Sequence, residues 1–98
     1  MRMMLKASMN VEASNKAILD GTFPQIMEKV MGKLKPEATY FMAWQGKRTM
    51  LAFFDLSDSS MIPQIAEPLF SGMQAEVDFI PVMNQAELQQ GLAAALAG

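Results

Sequence analysis

Asp55 ends the aromatic-rich run Arg48–Leu56 (RTMLAFFDL), directly after Phe53 and Phe54. A carboxylate held against aromatic surface can take a proton from a bound apolar substrate and so act as a general base. Ser57, Asp58 and Ser59 follow at once, a spacing that suits equally a carboxylate bonded to the next turn. Tyr40 and Trp44 lie four residues apart in ATYFMAWQ, on one side of an extended segment. They can line a pocket for a flat apolar ligand, or serve an interface or core that also uses their polar tips. Lys6, Glu76 and Asp78 form a third set. An amine among carboxylates can do acid–base work, but across neighbouring strands it is more often an ion pair worth a few tenths to about 1 kcal/mol.

Composition narrows the chemistry. The chain has no cysteine and no histidine, so disulfides, thiol nucleophiles, Cys/His zinc sites and imidazole bases are excluded. Thioethers can hold Cu(I), and Met1, Met3 and Met4 cluster. Most of the eleven methionines, among them Met27, Met31, Met42, Met50, Met73 and Met83, instead fall at apolar positions, where Met is adaptable filler. No metal and no cofactor is expected. Lys47–Phe54 (KRTMLAFF) mixes basic and aromatic residues as RNA-binding strands do. It lacks the Gly and central aromatic of that pattern, and the net charge of −2 has the wrong sign for phosphate, so no nucleic-acid partner is expected. No apolar stretch approaches a membrane span and no signal segment opens the chain, so the expected setting is cytoplasmic, without membrane. With 51% apolar and 18% charged residues, the 98 residues have the material for one core, read as a single domain over 1–98.

The elements that position these residues follow from periodicity. Arg2–Met9 reads as a strand, and Asn10 caps a short helical stretch, Val11–Leu19, broken at Asp20-Gly21. Thr22-Phe23-Pro24-Gln25 reads as a capping box, followed by the stripe Phe23, Ile26, Met27, Val30, Met31 and Leu34, ended at Pro36. Ala38–Gln45 and Arg48–Leu56 are strands joined through Gly46-Lys47 as a two-residue hairpin loop, which sets Trp44 opposite Thr49, Met42 opposite Leu51 and Tyr40 opposite Phe53. Ser60 caps a second striped helix (Ile62, Ile65, Ala66, Leu69, Phe70, Met73); Pro68 is expected to kink or end it near Glu67, and Gly72 to provide its exit. Ala75–Met83 alternates as a strand whose Pro81 demands an edge. Asn84-Gln85-Ala86-Glu87 opens a last helix with Leu88, Leu92 and Leu96.

The order β-α-β-β-α-β plus a terminal helix, with right-handed crossovers, gives an α+β fold. Its four-stranded antiparallel sheet has strand order 4-1-3-2, with the crossover helices on one face. The other face then carries Tyr40, Met42, Trp44, Leu51 and Phe53. Three aromatics of about 150–250 Å² each reach the size of the largest apolar patch on an ordinary monomer, roughly 300–600 Å². Cover is expected from a second copy, sheet against sheet, or in part from the terminal helix folding back.

The hairpin ATYFMAWQGKRTMLAFF, the helix SSMIPQIAEPLF and the strand AEVDFIPVM with its capped helix together resemble the ferredoxin-like dimeric α+β-barrel superfamily, most closely its small bacterial members. The resemblance covers most of the chain. It implies two sheets paired into a barrel with the helices outside. Its members include cofactor-free monooxygenases of aromatic polyketides, muconolactone-isomerase-like enzymes, haem-degrading enzymes and proteins without known activity. The haem branch uses a proximal His that this chain lacks. The leading expectation is a homodimer holding a small apolar ligand. A second is a cofactor-independent oxygenase or isomerase in which Tyr40 and Trp44 bind a hydrophobic substrate and Asp55 moves a proton. A third is a regulatory module like the amino-acid-binding ACT domains.

Overall fold

A computed structural model describes residues 1–98. In chain order the elements are β1 (Arg2–Ser8), α1 (Val11–Asp20), α2 (Thr22–Leu34), β2 (Ala38–Trp44), β3 (Lys47–Asp55), α3 (Met61–Met73), β4 (Glu76–Pro81) and α4 (Gln85–Ala97). The four strands form one antiparallel sheet in the order β2-β3-β1-β4, which is the expected 4-1-3-2 read from the other side. Pro81 lies at the end of an edge strand, where its missing N–H interrupts no ladder.

Alternation along the two central strands decides which face is buried. Met3, Leu5 and Ala7 of β1 sit opposite Phe54, Ala52 and Met50 of β3, and all six are buried. Large residues oppose small ones (Leu5 on Ala52, Met50 on Ala7), the pairing by which facing side chains interlock. Phe79 of β4 meets Phe54 edge to face, with ring centroids 6.2 Å apart. Onto this layer α2 lowers Met27, Val30 and Leu34, and α3 lowers Ile65, Leu69 and Met73, each on the periodic stripe of its helix.

Several local expectations are corrected. The hairpin turns at Gln45-Gly46, not Gly46-Lys47: both residues have positive φ (52° and 77°), as a type I′ turn requires. Tyr40 therefore lies opposite Leu51, Met42 opposite Thr49 and Trp44 opposite Lys47. The shift is two residues, so every side chain keeps its face. Asn10 caps α1 as expected, accepting from the Ala13 N–H at 2.8 Å. Thr22 does not cap α2. Its hydroxyl donates to Asp20 Oδ1 (2.7 Å), Gly21 occupies the cap position, and the box with Gln25 does not form. The hydrogen bonds from the Thr22 hydroxyl and N–H hold the Asp20 carboxyl below the ordinary aspartate value. Ser60 stands at the start of α3 but donates to Asp58 rather than capping a backbone N–H.

Pro68 does not end α3, which runs on to Met73 because Leu69 and Met73 are fully buried beyond it. Core burial outweighs the one lost helix hydrogen bond. Gly72 is likewise no exit. It lies inside α3 directly against the Ile26 side chain, where a Cβ would collide, and the chain leaves the helix through Gln74 in the left-handed region.

Thr39 is the exception in a well-satisfied interior: its Oγ1 is buried without a partner. A buried hydroxyl left unbonded costs about 1–3 kcal/mol. Thr39→Val, which keeps the shape and β-branching, should raise stability by about 1 kcal/mol, read as a Tm a few degrees higher. An unchanged or lower Tm would show that the hydroxyl has a partner in solution.

The terminal helix does not fold back. No residue of α4 is buried, so it shields neither sheet face. Its start is built as expected: Asn84 Oδ1 accepts from the Glu87 N–H (2.9 Å), and Glu87 Oε1 accepts from the Asn84 N–H (2.9 Å) and from Arg2. The Asn84 backbone bond, then the Arg2 bond, holds the Glu87 carboxyl below the ordinary glutamate value. A group with a depressed folded-state pKa contributes fully at neutral pH, and loses that contribution as pH falls from its unfolded value through the lower folded one. Acidification should therefore fray the first turn of α4 before the sheet changes. Amide resonances of residues 85–88 are expected to shift ahead of those of β1 and β3, and simultaneous movement would refute this.

Candidate functional site

The sheet face away from α1, α2 and α3 carries Met4 and Lys6 from β1, Tyr40, Met42 and Trp44 from β2, Thr49, Leu51 and Phe53 from β3, and Asp78 and Ile80 from β4. No helix of the chain covers it, although Thr49 is buried among the neighbouring side chains of the face itself. Tyr40 is 61% exposed and Trp44 44%, values far from those of a settled interior. At the β2–β3 turn end the face is organised by polar groups. Lys6 Nζ stands 4.5 Å above the centre of the Trp44 ring, a cation–π contact worth about 0.5–1 kcal/mol at an exposed site. Below it the Ser8 and Thr49 hydroxyls share a buried 3.1 Å hydrogen bond.

The expected ion pair between Lys6 and the β4 carboxylates does not form. Asp78 is directly opposite Lys6, yet the ammonium turns the other way, laying its aliphatic stem over apolar surface to reach Trp44. Glu76 is instead taken by Lys47 Nζ at 3.2 Å, across β1.

Asp55 sits at the opposite end of this face. It is exposed, and its Oδ1 accepts from the Met1 amino group at 2.8 Å rather than bonding the Ser57–Ser59 turn. Tyr40 is opposite Leu51, four residues away along β3, or about 13 Å, and Trp44 is opposite Lys47, eight residues or roughly 26 Å away. The fold thus brings Tyr40 and Trp44 onto one surface with Lys6 and leaves Asp55 apart from Trp44. No group of three or more acidic residues converges as a metal site would require.

A second apolar region escaped the periodicity argument. The helices sit over β1, β3 and β4 but stop short of the second half of β2, so its helix-side Phe41 and Ala43 remain open; Phe41 is 61% exposed. Between β2 and the α1–α2 corner runs a groove of about 760 Å³, lined by Met9, Val11, Ile18, Phe23, Phe41 and Ala43, with Arg48 among its polar residues. The Arg48 guanidinium is anchored by Ser14 Oγ at 2.7 Å. The sequence signal was Val11 and Ile18, two apolar residues seven apart on α1 that belong to no buried stripe.

The class that this architecture defines is a small α+β fold with a four-stranded antiparallel sheet, compatible with the ferredoxin-like arrangement. Compared with known families and curated proteins, the chain matches no family model, and no curated protein matches it. No helix is long and apolar enough to cross a membrane.

Proposed function

We propose that the protein is a homodimer that pairs its open sheet faces into an α+β barrel and holds a small apolar metabolite beside Tyr40 and Trp44. The observation that carries this reading is the row Tyr40, Met42, Trp44, Leu51, Phe53 and Met4, an apolar surface that no helix of the chain covers. A two-fold contact presents the same row from both sides, so apolar surface meets apolar surface without a second protein. Lys6 held on Trp44 gives the face a fixed polar point beside the aromatic ones, as an orienting ligand site requires. Asp55 draws no support for proton transfer from its exposed position and its bond to the Met1 amine, so the binding reading stands ahead of the enzymatic one.

Sedimentation equilibrium tests the assembly: twice the 10.8 kDa chain mass is expected, and a single-chain mass at high micromolar concentration overturns it. The single tryptophan reports on the same surface. Trp44 emission should shift to the blue as protein concentration rises through the dimer dissociation constant, and should be quenched by a flat apolar probe such as 1-naphthol. Emission indifferent to both removes Trp44 from the interface and the ligand site.

A further inference from the structure

α4 has little against it. None of its thirteen residues is buried, and Leu88, Leu92 and Leu96 are 45%, 52% and 87% exposed. Its second half, Leu92-Ala93-Ala94-Ala95-Leu96-Ala97, carries no charged or hydrogen-bonding side chain. A helix of this length is marginal in water without tertiary contacts, and one with so little polar surface needs an apolar partner. Its own first turn is the part that is tied down, by Asn84, Glu87 and Arg2.

The groove beside β2 is the complementary surface, and α4 does not reach it within one chain. α4 departs from the end of the sheet that carries Arg2, whereas the groove lies at the other end, by Met9 and the Gln45-Gly46 turn. The seven residues of β1 separate those ends by about 23 Å, and the molecule is drawn out to 56 Å along one axis against 28 and 18 Å on the others. Charge agrees with shape. The last turn of α4 contains no basic residue, so the negative end of its dipole is unneutralised. The groove lining includes Arg48, whose guanidinium has no carboxylate partner, whereas the Lys47 ammonium is already paired with Glu76.

We propose that α4 of one copy docks into the β2 groove of a second copy, its leucine edge against Val11, Ile18, Phe23 and Phe41 and its C-terminal end toward Arg48. This is helix-in-groove recognition with both partners supplied by the same sequence. It uses a different surface from the sheet pairing and requires only a second copy. A two-fold axis lying between facing sheets, at right angles to their strands, sets the Arg2 end of one over the hairpin end of the other.

Because the chain is free of cysteine, a disulfide trap reads the contact directly. In Ile18→Cys/Leu92→Cys both substitutions fall at exposed positions. Oxidised at about 10 µM, this variant should form the interchain 18–92 disulfide roughly a hundredfold faster than a Lys29→Cys/Leu92→Cys control, the ratio of a millimolar local concentration to the bulk one. Peptide mapping identifies the bond. Equal rates in the two variants overturn the proposal, as they would if a small molecule or another protein held the groove. An intrachain 18–92 bond also overturns it, since α4 would then fill its own groove. Leu51→Glu separates this from the sheet pairing. A dimer that cross-links and ignores Leu51→Glu is held by α4 alone. One that dissociates with Leu51→Glu and never cross-links refutes the exchange and leaves the sheet pairing standing.

Discussion

Leu51→Glu is expected to convert the proposed dimer into single 10.8 kDa chains at micromolar concentration. Leu51 lies on β3 near the middle of the open face, between Lys6 on one neighbouring strand and Tyr40 on the other. In a monomer the new carboxylate is solvated and directly opposite the Lys6 ammonium, so folding should change little. Between two apposed sheets it would be buried twice across the two-fold, carboxylate near carboxylate, with no compensating donor. Truncating or mispairing a central contact costs about 2 kcal/mol or more, which weakens association at least about thirtyfold. The check is sedimentation mass against concentration, with far-UV circular dichroism confirming an intact fold. A variant that stays dimeric with unaltered affinity would mean that the open face is not the contact.

Phe54→Ala carries the largest expected loss of stability, about 3–5 kcal/mol. The ring is fully buried, stands opposite Met3 in register and meets Phe79 edge to face. It therefore joins three strands on the side where α2 and α3 pack, and its removal leaves a cavity that a sheet with fixed register cannot close. In a domain of this size such a loss lowers Tm by roughly 12 °C or more, and it is a large share of a total near 5–15 kcal/mol. Denaturant unfolding at fixed protein concentration measures it, since the proposed dimerisation would add a concentration-dependent term. A loss below about 1.5 kcal/mol would mean that neighbouring side chains repack into the space, and that the core is looser than its burial implies. Phe53→Ala is the informative partner, because Phe53 is next in sequence but on the open face, opposite Met4. Its cost should fall mainly on association rather than on the fold.

Much of the fold was legible in the residues because burial imposes a period. The alternation of Met3, Leu5 and Ala7, and the stripes Met27-Val30-Leu34 and Ile65-Leu69-Met73, mark faces that must meet. Pro81 and the Asn84–Glu87 box mark an edge strand and a helix start through single-residue chemistry. Local rules failed where a tertiary contact competed with them. Pro68 ends an isolated helix but not one whose Leu69 and Met73 are gripped by a core. Thr22 is a good cap in isolation, yet Asp20 took its hydroxyl. The hairpin register differed by two residues because Gly46 serves as the second turn residue, a choice made by strand twist rather than by composition.

The candidate site divides in the same way. The facing of Tyr40 and Trp44 was determined by strand alternation, which survives a two-residue shift. Which partners they meet was not, since Lys6 chose Trp44 over Asp78 and Lys47 took Glu76 through side-chain reach across a twisted sheet. What the sequence determined by itself is the order of elements, the sidedness of each strand and the stripe of each helix, because these follow from backbone periods of two and 3.6. Only the tertiary structure decided that the helical layer stops short of the second half of β2, that α4 stands clear of the body and that Asp55 lies a sheet's length from Trp44. Those are distances between elements, set by how far a finite layer of side chains can extend.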